Sequence, residues 1–233
     1  MAHHEFTPDH YHITIGSHAP ILEIAPGDTV STTTVDARGG DANGDIVTER
    51  GNPQTGPFFV RGAKPGDTLV VTLDKLIPNR PTGFTGLRIA PNVLDHGYIP
   101  EFGDELDGST AQWAVDTKAW DARLLTPSGP LSDIAIPLDP MVGCFGVAPP
   151  RGQAISCATS STHGGNMDYR GFRQGVKVFF PVFSEGALFH IGDGHAVQGD
   201  GELTGAALET SLKIEFTVEV LAGKSIGTPR SEN

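Results

Sequence analysis

The clearest alternation of apolar and polar residues along the chain covers residues 211–222. Its two sets alternate without interruption: Leu212, Ile214, Phe216, Val218 and Val220 on one face, and Lys213, Glu215, Thr217 and Glu219 on the other. A period of two is typical of a β-strand with one buried face and one solvent-exposed face. Apolar runs at 176–183, 69–73 and 12–15 predict further strands, and Pro181 indicates an edge or a bulge in the first of these.

A short sequence recurs where two predicted strands begin. Residues 25–30 are APGDTV and residues 63–69 are AKPGDTL, so a Pro-Gly-Asp turn precedes each strand. Helical signals are sparse, and only residues 112–120 are predicted to form a short helical turn. The sequence therefore predicts a mainly β fold, an antiparallel β-sandwich or barrel-like architecture with few short helices and long functional loops, as a single domain over residues 1–233.

Composition supports this prediction and excludes several functional classes. Thirty glycines and 18 prolines without a short repeat indicate many tight turns. A formal net charge of −12 argues against a nucleic-acid partner, because phosphate binding needs a basic surface. Neither an 18-residue apolar run nor an apolar signal core is evident, which predicts a cytoplasmic protein with no membrane role. The two cysteines, Cys144 and Cys157, are too few for a disulfide framework.

The segment DGHAVQGDGE, residues 193–202, concentrates the strongest candidate chemistry. It holds four potential metal ligands in ten residues: Asp193, His195, Asp200 and Glu202. It follows the apolar run 187–191, so we expect a loop that leaves the end of a strand, with glycines that let it fold back. Mixed imidazole and carboxylate ligands suit Zn²⁺ or a similar divalent ion, whereas carboxylates alone would suit Ca²⁺ or Mg²⁺. The alternative is a solvated acidic turn.

Two other segments carry candidate residues beside glycine pairs. In SSTHGGNMD, residues 160–168, His163 precedes Gly164, Gly165 and Asn166. The histidine could transfer a proton, and the neighbouring amide groups could stabilise a carbonyl oxygen as negative charge develops on it. In TVDARGGD, residues 34–41, Asp36 ends a predicted strand just before a turn, where a side chain can point into a cleft. Each segment is also compatible with an ordinary turn.

Taken together, the motifs resemble the acetamidase/formamidase family. The resemblance rests on five segments in the family's order: TVDARGGD (34–41), TGPFFVRGAKPGDTL (55–69), PMVGCFGVAPPRG (140–152), THGGNMD (162–168) and DGHAVQGDGE (193–202). It implies a mainly β fold, a metal-dependent site, hydrolysis of short aliphatic amides such as formamide or acetamide, and a homo-oligomer, dimeric or larger. Family members usually continue past residues 228–233 with a partly helical segment, which this chain is expected to lack.

The resemblance and the chemistry of the residues together assign metal-binding, general-base and substrate-orienting roles to the candidates. A divalent ion, zinc or alternatively calcium, would be held by Asp36, Asp193, His195 and Asp200, with Asp193 and Asp200 as interchangeable candidates for one position. Glu202 would act as the general base, although Glu202 as a ligand and Asp200 as the base is equally open. His163 and Asn166, with the amides of Gly164 and Gly165, would orient the substrate and stabilise the tetrahedral oxyanion.

Two other functional classes fit parts of the sequence. A thiol or serine amidase would use Cys144, Ser160 or Ser161 as its nucleophile. A non-catalytic β-sandwich would use the acidic segment to bind Ca²⁺ together with a sugar or a partner protein. Chelation, thiol alkylation and ammonia release would distinguish these classes.

Overall fold

The computed structural model describes residues 1–98 and 109–232. Its β-strands, in chain order, are β1 (His3–Glu5), β2 (Thr14–Gly16), β3 (Leu22–Ile24), β4 (Thr29–Thr33), β5 (Gln54–Val60), β6 (Thr68–Pro78), β7 (Thr82–Gly86), β8 (Thr110–Asp116), β9 (Asp121–Leu124), β10 (Ile136–Pro137), β11 (Met141–Val147), β12 (Ala154–Ser156), β13 (Ser160–Ser161), β14 (Gly164–Asn166), β15 (Lys177–Pro181), β16 (Phe189–Val197), β17 (Leu208–Glu209), β18 (Leu212–Leu221) and β19 (Arg230–Glu232). Within these described residues, three short 3₁₀ helices, Pro91–Val93, Gly129–Leu131 and Pro150–Gly152, interrupt them.

The strands form two large sheets and one small one. The first large sheet has the order β1-β4-β18-β6-β15-β19. The second runs β10-β9-β8-β7-β17-β16-β11-β14-β13, with β5 and β3 joined to β16, and β2 pairs separately with β12. Pairing is antiparallel except for β1 with β4 and β3 with β5. The predicted mainly β, antiparallel fold with few short helices is confirmed, and neither large sheet closes into a barrel within the described residues.

The two large sheets share one apolar core, which the alternation in β18 anticipates. Leu212, Ile214, Phe216 and Val218 are buried there. The ring of Phe216 meets Phe58 of β5 and Phe189 of β16 at centroid distances of 5.2 and 5.3 Å, so it joins the sheets across the core. Burial of one such side chain contributes roughly 1.5–3 kcal/mol. Pro181 is the last residue of β15, beyond the three residues with which the edge strand β19 pairs.

The helical turn predicted at 112–120 is wrong. Residues 110–116 form β8, which pairs with β7 and β9. Trp113 and Val115 are buried against Ala122 and Leu138 in a second, smaller core. Two residues spaced by two fit a pleated strand, and cross-strand packing outweighs the weak local preference. Within the described residues, the helices are too short to span a bilayer.

Both Pro-Gly-Asp segments form the predicted turns, and they do so in the same way. The Asp28 carboxylate accepts a hydrogen bond from the Ala25 amide three residues earlier at 3.0 Å. Asp67 accepts one from the Lys64 amide at 2.9 Å. Backbone hydrogen bonds, first among them those from Ala2 and Gly223 respectively, lower the pKa of both carboxyl groups.

Candidate active site

Strand β16 carries two of the predicted ligands, and they lie inside the sheet. β16 extends from Phe189 to Val197, so Asp193 and His195 belong to a buried strand and the expected loop begins only after it. The register with β11 is continuous here, with Gly143 opposite Asp193, and the φ of Asp193 is +58°. A left-handed conformation is unusual for a non-glycine residue, and it re-aims the Asp193 side chain relative to a regular strand.

Neighbouring elements bring three more carboxylates to this point. Glu209 of β17 pairs directly with His195 across the sheet. Asp168 lies two residues after the end of β14, on the far side of β11. Glu202 approaches from the segment between β16 and β17. We call these five residues the His–carboxylate cluster: Asp168, Asp193, His195, Glu202 and Glu209.

The His195 ring is the centre of the cluster. Its Nε2 atom lies 3.2 Å from Glu209 Oε1, 3.6 Å from Asp193 Oδ1 and 4.0 Å from Glu202 Oε1. Its Nδ1 atom lies 2.8 Å from Gln198 Oε1, and Gln198 Nε2 donates to the Asp168 carbonyl at 2.6 Å. The Gln198 oxygen favours a proton on Nδ1, which leaves the Nε2 lone pair facing the carboxylates.

The donor atoms of the cluster fit a divalent cation. Asp168, Asp193 and His195 offer ligand atoms within 4.8 Å of one another, and so do His195, Glu202 and Glu209. Asp168 Oδ1, Asp193 Oδ1, Glu209 Oε2 and His195 Nε2 are buried without a hydrogen-bond partner in the described part of the chain. Buried polar groups normally have hydrogen bonds, so this donor set is of the kind that could hold a cation.

A glycine in β11 makes the room that the cluster occupies. Gly143 lies between the residue pairs Val142–Gly194 and Cys144–Gly192, hence opposite Asp193. A Cβ atom at Gly143 would stand 2.7 Å from Asp193 Oδ2 and 2.8 Å from His195 Cε1, and would also clash with Asp168 Oδ1. Any side chain at this position would therefore displace three of the cluster's residues.

Burial and mutual repulsion shift the ionisation of these groups. Burial, reinforced by Asp193, raises the pKa of Asp168 to about 8. Burial likewise raises the pKa of Glu209 to about 7 and that of Glu202 above its ordinary value. Burial alone would lower the pKa of His195, but Glu209 and Asp193 outweigh it and the pKa is raised. Without a cation, the cluster thus retains protons at neutral pH.

Two asparagines hold the cluster at the bottom of a small cavity. Asn52 Nδ2 donates to Asp193 Oδ2 at 3.2 Å and to Asn166 Oδ1 at 2.7 Å, while Asn166 Nδ2 donates to Asp168 Oδ2. The cavity has a volume of about 220 Å³, and Asp193, Glu202 and Glu209 line it with both asparagines. We call it the reaction cavity. Glu202 also borders a larger apolar cavity of about 520 Å³.

Two of the predicted metal ligands lie outside the cluster. The Asp36 carboxylate is buried, but it pairs with Arg80 Nη2 at 2.8 Å and accepts the amides of Arg38 and Gly40. Its oxygens are already used to fix the turn after β4. Asp200 is 78% exposed and pairs with Arg170 at 2.7 Å. The structure brings neither side chain to His195, in contrast to the predicted ligand set.

The predicted catalytic His163 is also separate from the cluster. It is buried, with neither ring nitrogen hydrogen-bonded in the described residues, and burial lowers its pKa. It contributes to lowering the pKa of His190, which lies at the opposite end of β16 from His195. Gly164 and Gly165 form β14 with φ near +95°, where a Cβ atom would clash with the Phe145 and Thr159 carbonyls. Of the predicted substrate-binding residues, Asn166 lines the reaction cavity.

Sequence reasoning missed Asp168, Glu209 and Gly143. Asp168 ends the motif THGGNMD, and Glu209 is the single charge in the stretch AALETSL before β18. A carboxylate in an apolar stretch is a signal in its own right, because burial of an unpaired charge is costly. Gly143 has no comparable sequence signal, since its role depends on the register between β11 and β16.

Cys144 does not have the environment of a nucleophile. It is fully buried, and its Sγ atom lies 3.5 Å from the Cys157 carbonyl. Burial raises the pKa of the thiol well above its ordinary value. Because the thiolate is the reactive form, this environment disfavours nucleophilic attack by Cys144.

The fold and the cluster together define a mainly β protein with a buried His–carboxylate cluster. Comparison with known proteins gives the family. The model of the acetamidase/formamidase family matches residues 3–155 and 151–229. The chain belongs to the acetamidase/formamidase family, as the resemblance of its motifs predicted.

Individual relatives show the same similarity. A putative formamidase of Schizosaccharomyces pombe is 27% identical over 250 residues, which cover 85% of this chain and 60% of that protein. A predicted acetamidase/formamidase from Thermoanaerobacter tengcongensis is 30% identical, with a TM-score of 0.78 over 100% of this chain and 74% of its own. An acetamidase from Yersinia enterocolitica is 28% identical, with a TM-score of 0.81 over 99% and 72% of the two chains. The chain thus spans less than two thirds of the fission-yeast relative.

Proposed function

We propose that this protein is a divalent-metal-dependent amidase that hydrolyses short amides to a carboxylate and ammonia. The observation that carries the proposal is the set of four buried donor atoms without hydrogen bonds around His195 in a chain of the acetamidase/formamidase family. The names of the relatives, formamidase and acetamidase, suggest formamide and acetamide as the first substrates to test.

Asp168, Asp193, His195 and Glu209 are the proposed ligands. Each of the three carboxylates has one oxygen held by a hydrogen bond and the other oxygen unpaired. This arrangement fixes the side chain while leaving a lone pair for a cation. A mixed nitrogen and oxygen set favours zinc over calcium, and the bound ion would supply Lewis acidity for the carbonyl and for water.

Glu202 is the proposed general base. It is the least buried carboxylate of the cluster, with a side chain 16% exposed, and it borders both cavities. One oxygen accepts the Ala207 amide at 3.1 Å, which orients the group. Its raised pKa suits a carboxylate that takes a proton from water and returns it to the departing nitrogen.

Asn52 and Asn166 position this machinery. Asn52 donates hydrogen bonds to Asn166 and to the Asp193 carboxylate, and Asn166 donates one to the Asp168 carboxylate. Asn166 therefore acts chiefly by holding Asp168. The exclusion of bulk water from the buried ligands strengthens every electrostatic interaction in the reaction cavity.

Ammonia release from formamide, acetamide and propionamide, combined with elemental analysis, tests the proposal. We expect activity that is lost on chelation, restored by a divalent ion and resistant to thiol alkylation. Activity that survives complete removal of metal, or that disappears on alkylation of an accessible thiol, would contradict it. Absence of hydrolysis with all amides, together with calcium-dependent binding of a sugar, would favour the non-catalytic alternative.

A further inference from the structure

Two arginines line the reaction cavity beside the carboxylates. Arg38 and Arg50 share its wall with Asp193, Glu202 and Glu209. Neither arginine forms an ion pair within residues 1–98 and 109–232, although the chain carries 28 acidic residues against 16 basic ones. Other arginines, such as Arg80 and Arg170, do pair with acids. Arg38 and Arg50 are both solvent-exposed, so their guanidinium groups can meet a ligand that enters the cavity.

The fold holds Arg38 close to the proposed metal ligands. Phe84 of β7 is the direct cross-strand partner of Glu209. Cross-strand partners have Cβ atoms about 4.5–5.5 Å apart, so the Phe84 ring adjoins the cluster. The Arg38 guanidinium lies over this ring at 4.2 Å from its centroid. A cation–π contact fixes the orientation of the guanidinium and leaves its N–H groups free for a ligand.

Arg50 approaches from the opposite segment of the wall. It precedes by two residues Asn52, whose side chain donates to Asp193 at 3.2 Å. Two residues of chain span at most about 7 Å, so the long Arg50 side chain stays within reach of a molecule bound at the cluster. Arg50 is solvent-exposed and forms no ion pair with an acidic side chain of the described residues, so its guanidinium is accessible from the cavity.

Resting on the proposed amidase function, we infer that the preferred substrate is a small amide that also carries a carboxylate. The amide group would face the His–carboxylate cluster, while the substrate carboxylate would meet Arg38 and Arg50. The planar guanidinium matches a carboxylate through two parallel hydrogen bonds, which a neutral group cannot reproduce. The monoamide of a short dicarboxylic acid fits this description.

The size of the reaction cavity limits the substrate. Its volume of about 220 Å³ lies below the roughly 300–1,000 Å³ typical of sites for drug-sized ligands. Succinamate is a suitable probe. Its hydrolysis consumes one water: the water oxygen bonds to the amide carbon, the C–N bond breaks, and succinate and ammonium are formed with conserved charge.

The test compares succinamate with succinamide, which has the same size but no charge. We expect kcat/KM for succinamate to exceed that for succinamide by at least about tenfold after correction for the two equivalent amides, mainly through KM. Arg38→Gln and Arg50→Gln should each reduce this ratio toward one. Arg61→Gln, at an exposed arginine paired with Glu23 away from the cavity, is the matched control and should leave the ratio unchanged.

A binding measurement separates this inference from the amidase proposal. Succinate should bind the wild-type protein and the Arg61→Gln control equally, and at least about tenfold more weakly to Arg50→Gln. If no amide is hydrolysed but succinate binding follows this pattern, the amidase proposal fails and the anion site stands. A ratio near one in the wild type, or a high ratio that both cavity variants retain, would overturn the inference.

Discussion

Buried carboxylates occur in two kinds of environment in this molecule. Asp28, Asp36 and Asp67, which we call the anchored carboxylates, accept hydrogen bonds from backbone amides, and Asp36 also pairs with Arg80. In the His–carboxylate cluster, by contrast, each of three carboxylates has one buried oxygen without a hydrogen bond in the described residues. The anchored carboxylates fix turns, whereas the carboxylates of the cluster crowd together around His195 and repel one another.

The difference teaches which acidic residues are candidates for chemistry. Hydrogen bonds lower the pKa of Asp28 and Asp67, so these groups favour their charged form. Burial with mutual repulsion raises the pKa of Asp168 and Glu209. Perturbation in the second direction, in a cavity and beside a histidine, is the pattern expected of a functional site.

Replacement of His195 is the change with the largest expected effect. His195→Ala removes the donor common to both groups of candidate ligands, so amide hydrolysis should fall by roughly 10³-fold, about 4 kcal/mol. Steady-state kinetics and metal analysis measure the loss. Asp200→Asn is the matched control, because that exposed residue lies outside the cluster and its loss should change activity by less than about twofold. A His195→Ala enzyme with near-normal activity would refute the assignment.

Asp36→Ala tests the anchored set. The substitution leaves Arg80 buried without its partner, so the free energy of unfolding should fall by about 3 kcal/mol. Chemical denaturation measures the loss, and metal content per folded chain should stay the same. Asp121→Ala, which breaks an exposed pair with Arg123, should cost less than about 1 kcal/mol. Unchanged stability with loss of the bound ion would instead make Asp36 a ligand.

The anchored carboxylates and the His–carboxylate cluster change the stability of the protein with pH in opposite directions. In metal-free protein the raised pKa values of Asp168 (about 8) and Glu209 (about 7) mean that the folded state binds more protons than the unfolded state between about pH 4 and 8. The stabilisation contributed by these two groups is therefore fully present below about pH 4 and is lost progressively as the pH rises toward 8. Glu209→Gln should flatten this decline.

Asp28 and Asp67 act in the opposite direction. Their pKa values are lowered, so their contribution is present above the unfolded pKa near 4 and is lost as the pH falls below it. Denaturation curves of the metal-free protein between pH 3 and 8 measure both the loss of stability at low pH and the loss of stability toward pH 8. A saturating divalent ion should abolish the decline toward pH 8, and a decline that persists unchanged with the ion would contradict the cluster's role.

Gly143→Ala should have the smallest of these effects. The added methyl group would crowd Asp168, Asp193 and His195, so affinity for the ion should fall by about tenfold or more while the fold is retained. Calorimetric titration of metal into stripped protein measures this change. Gly175→Ala is the control for backbone strain. It adds the same methyl group at a glycine with a φ of +89°, but there a Cβ atom meets nothing within 4 Å. Equal metal affinity in wild type and Gly143→Ala would show that the cluster tolerates the displacement.

Local patterns predict the fold class, some of the strands and part of the site. The alternation in residues 211–222 located β18, and the Pro-Gly-Asp segments located two equivalent turns. His195 and Asp193 stand out in the sequence because four potential ligands fall within ten residues, but Asp168 and Glu209 enter the cluster only through the pairing of β14, β11, β16 and β17. Sheet register is a long-range property, so a single sequence does not encode it in any short window.

The same limit explains why Asp36, His163 and Asp200 lie outside the cluster. They belong to the motifs that resemble the family, and proximity in a motif does not bring side chains together in space. Arg80 and Arg170 are distant in sequence from the aspartates with which they pair. Their contribution was therefore not visible until the fold was known.

The most direct test of the central claim is a titration of metal-stripped protein with Zn²⁺, in which bound ion and ammonia release are measured on the same samples. The account predicts no activity without an ion, activity proportional to the ion bound, and no specific binding by His195→Ala protein. Full activity in metal-free protein, or stoichiometric binding that His195→Ala leaves intact, would contradict it.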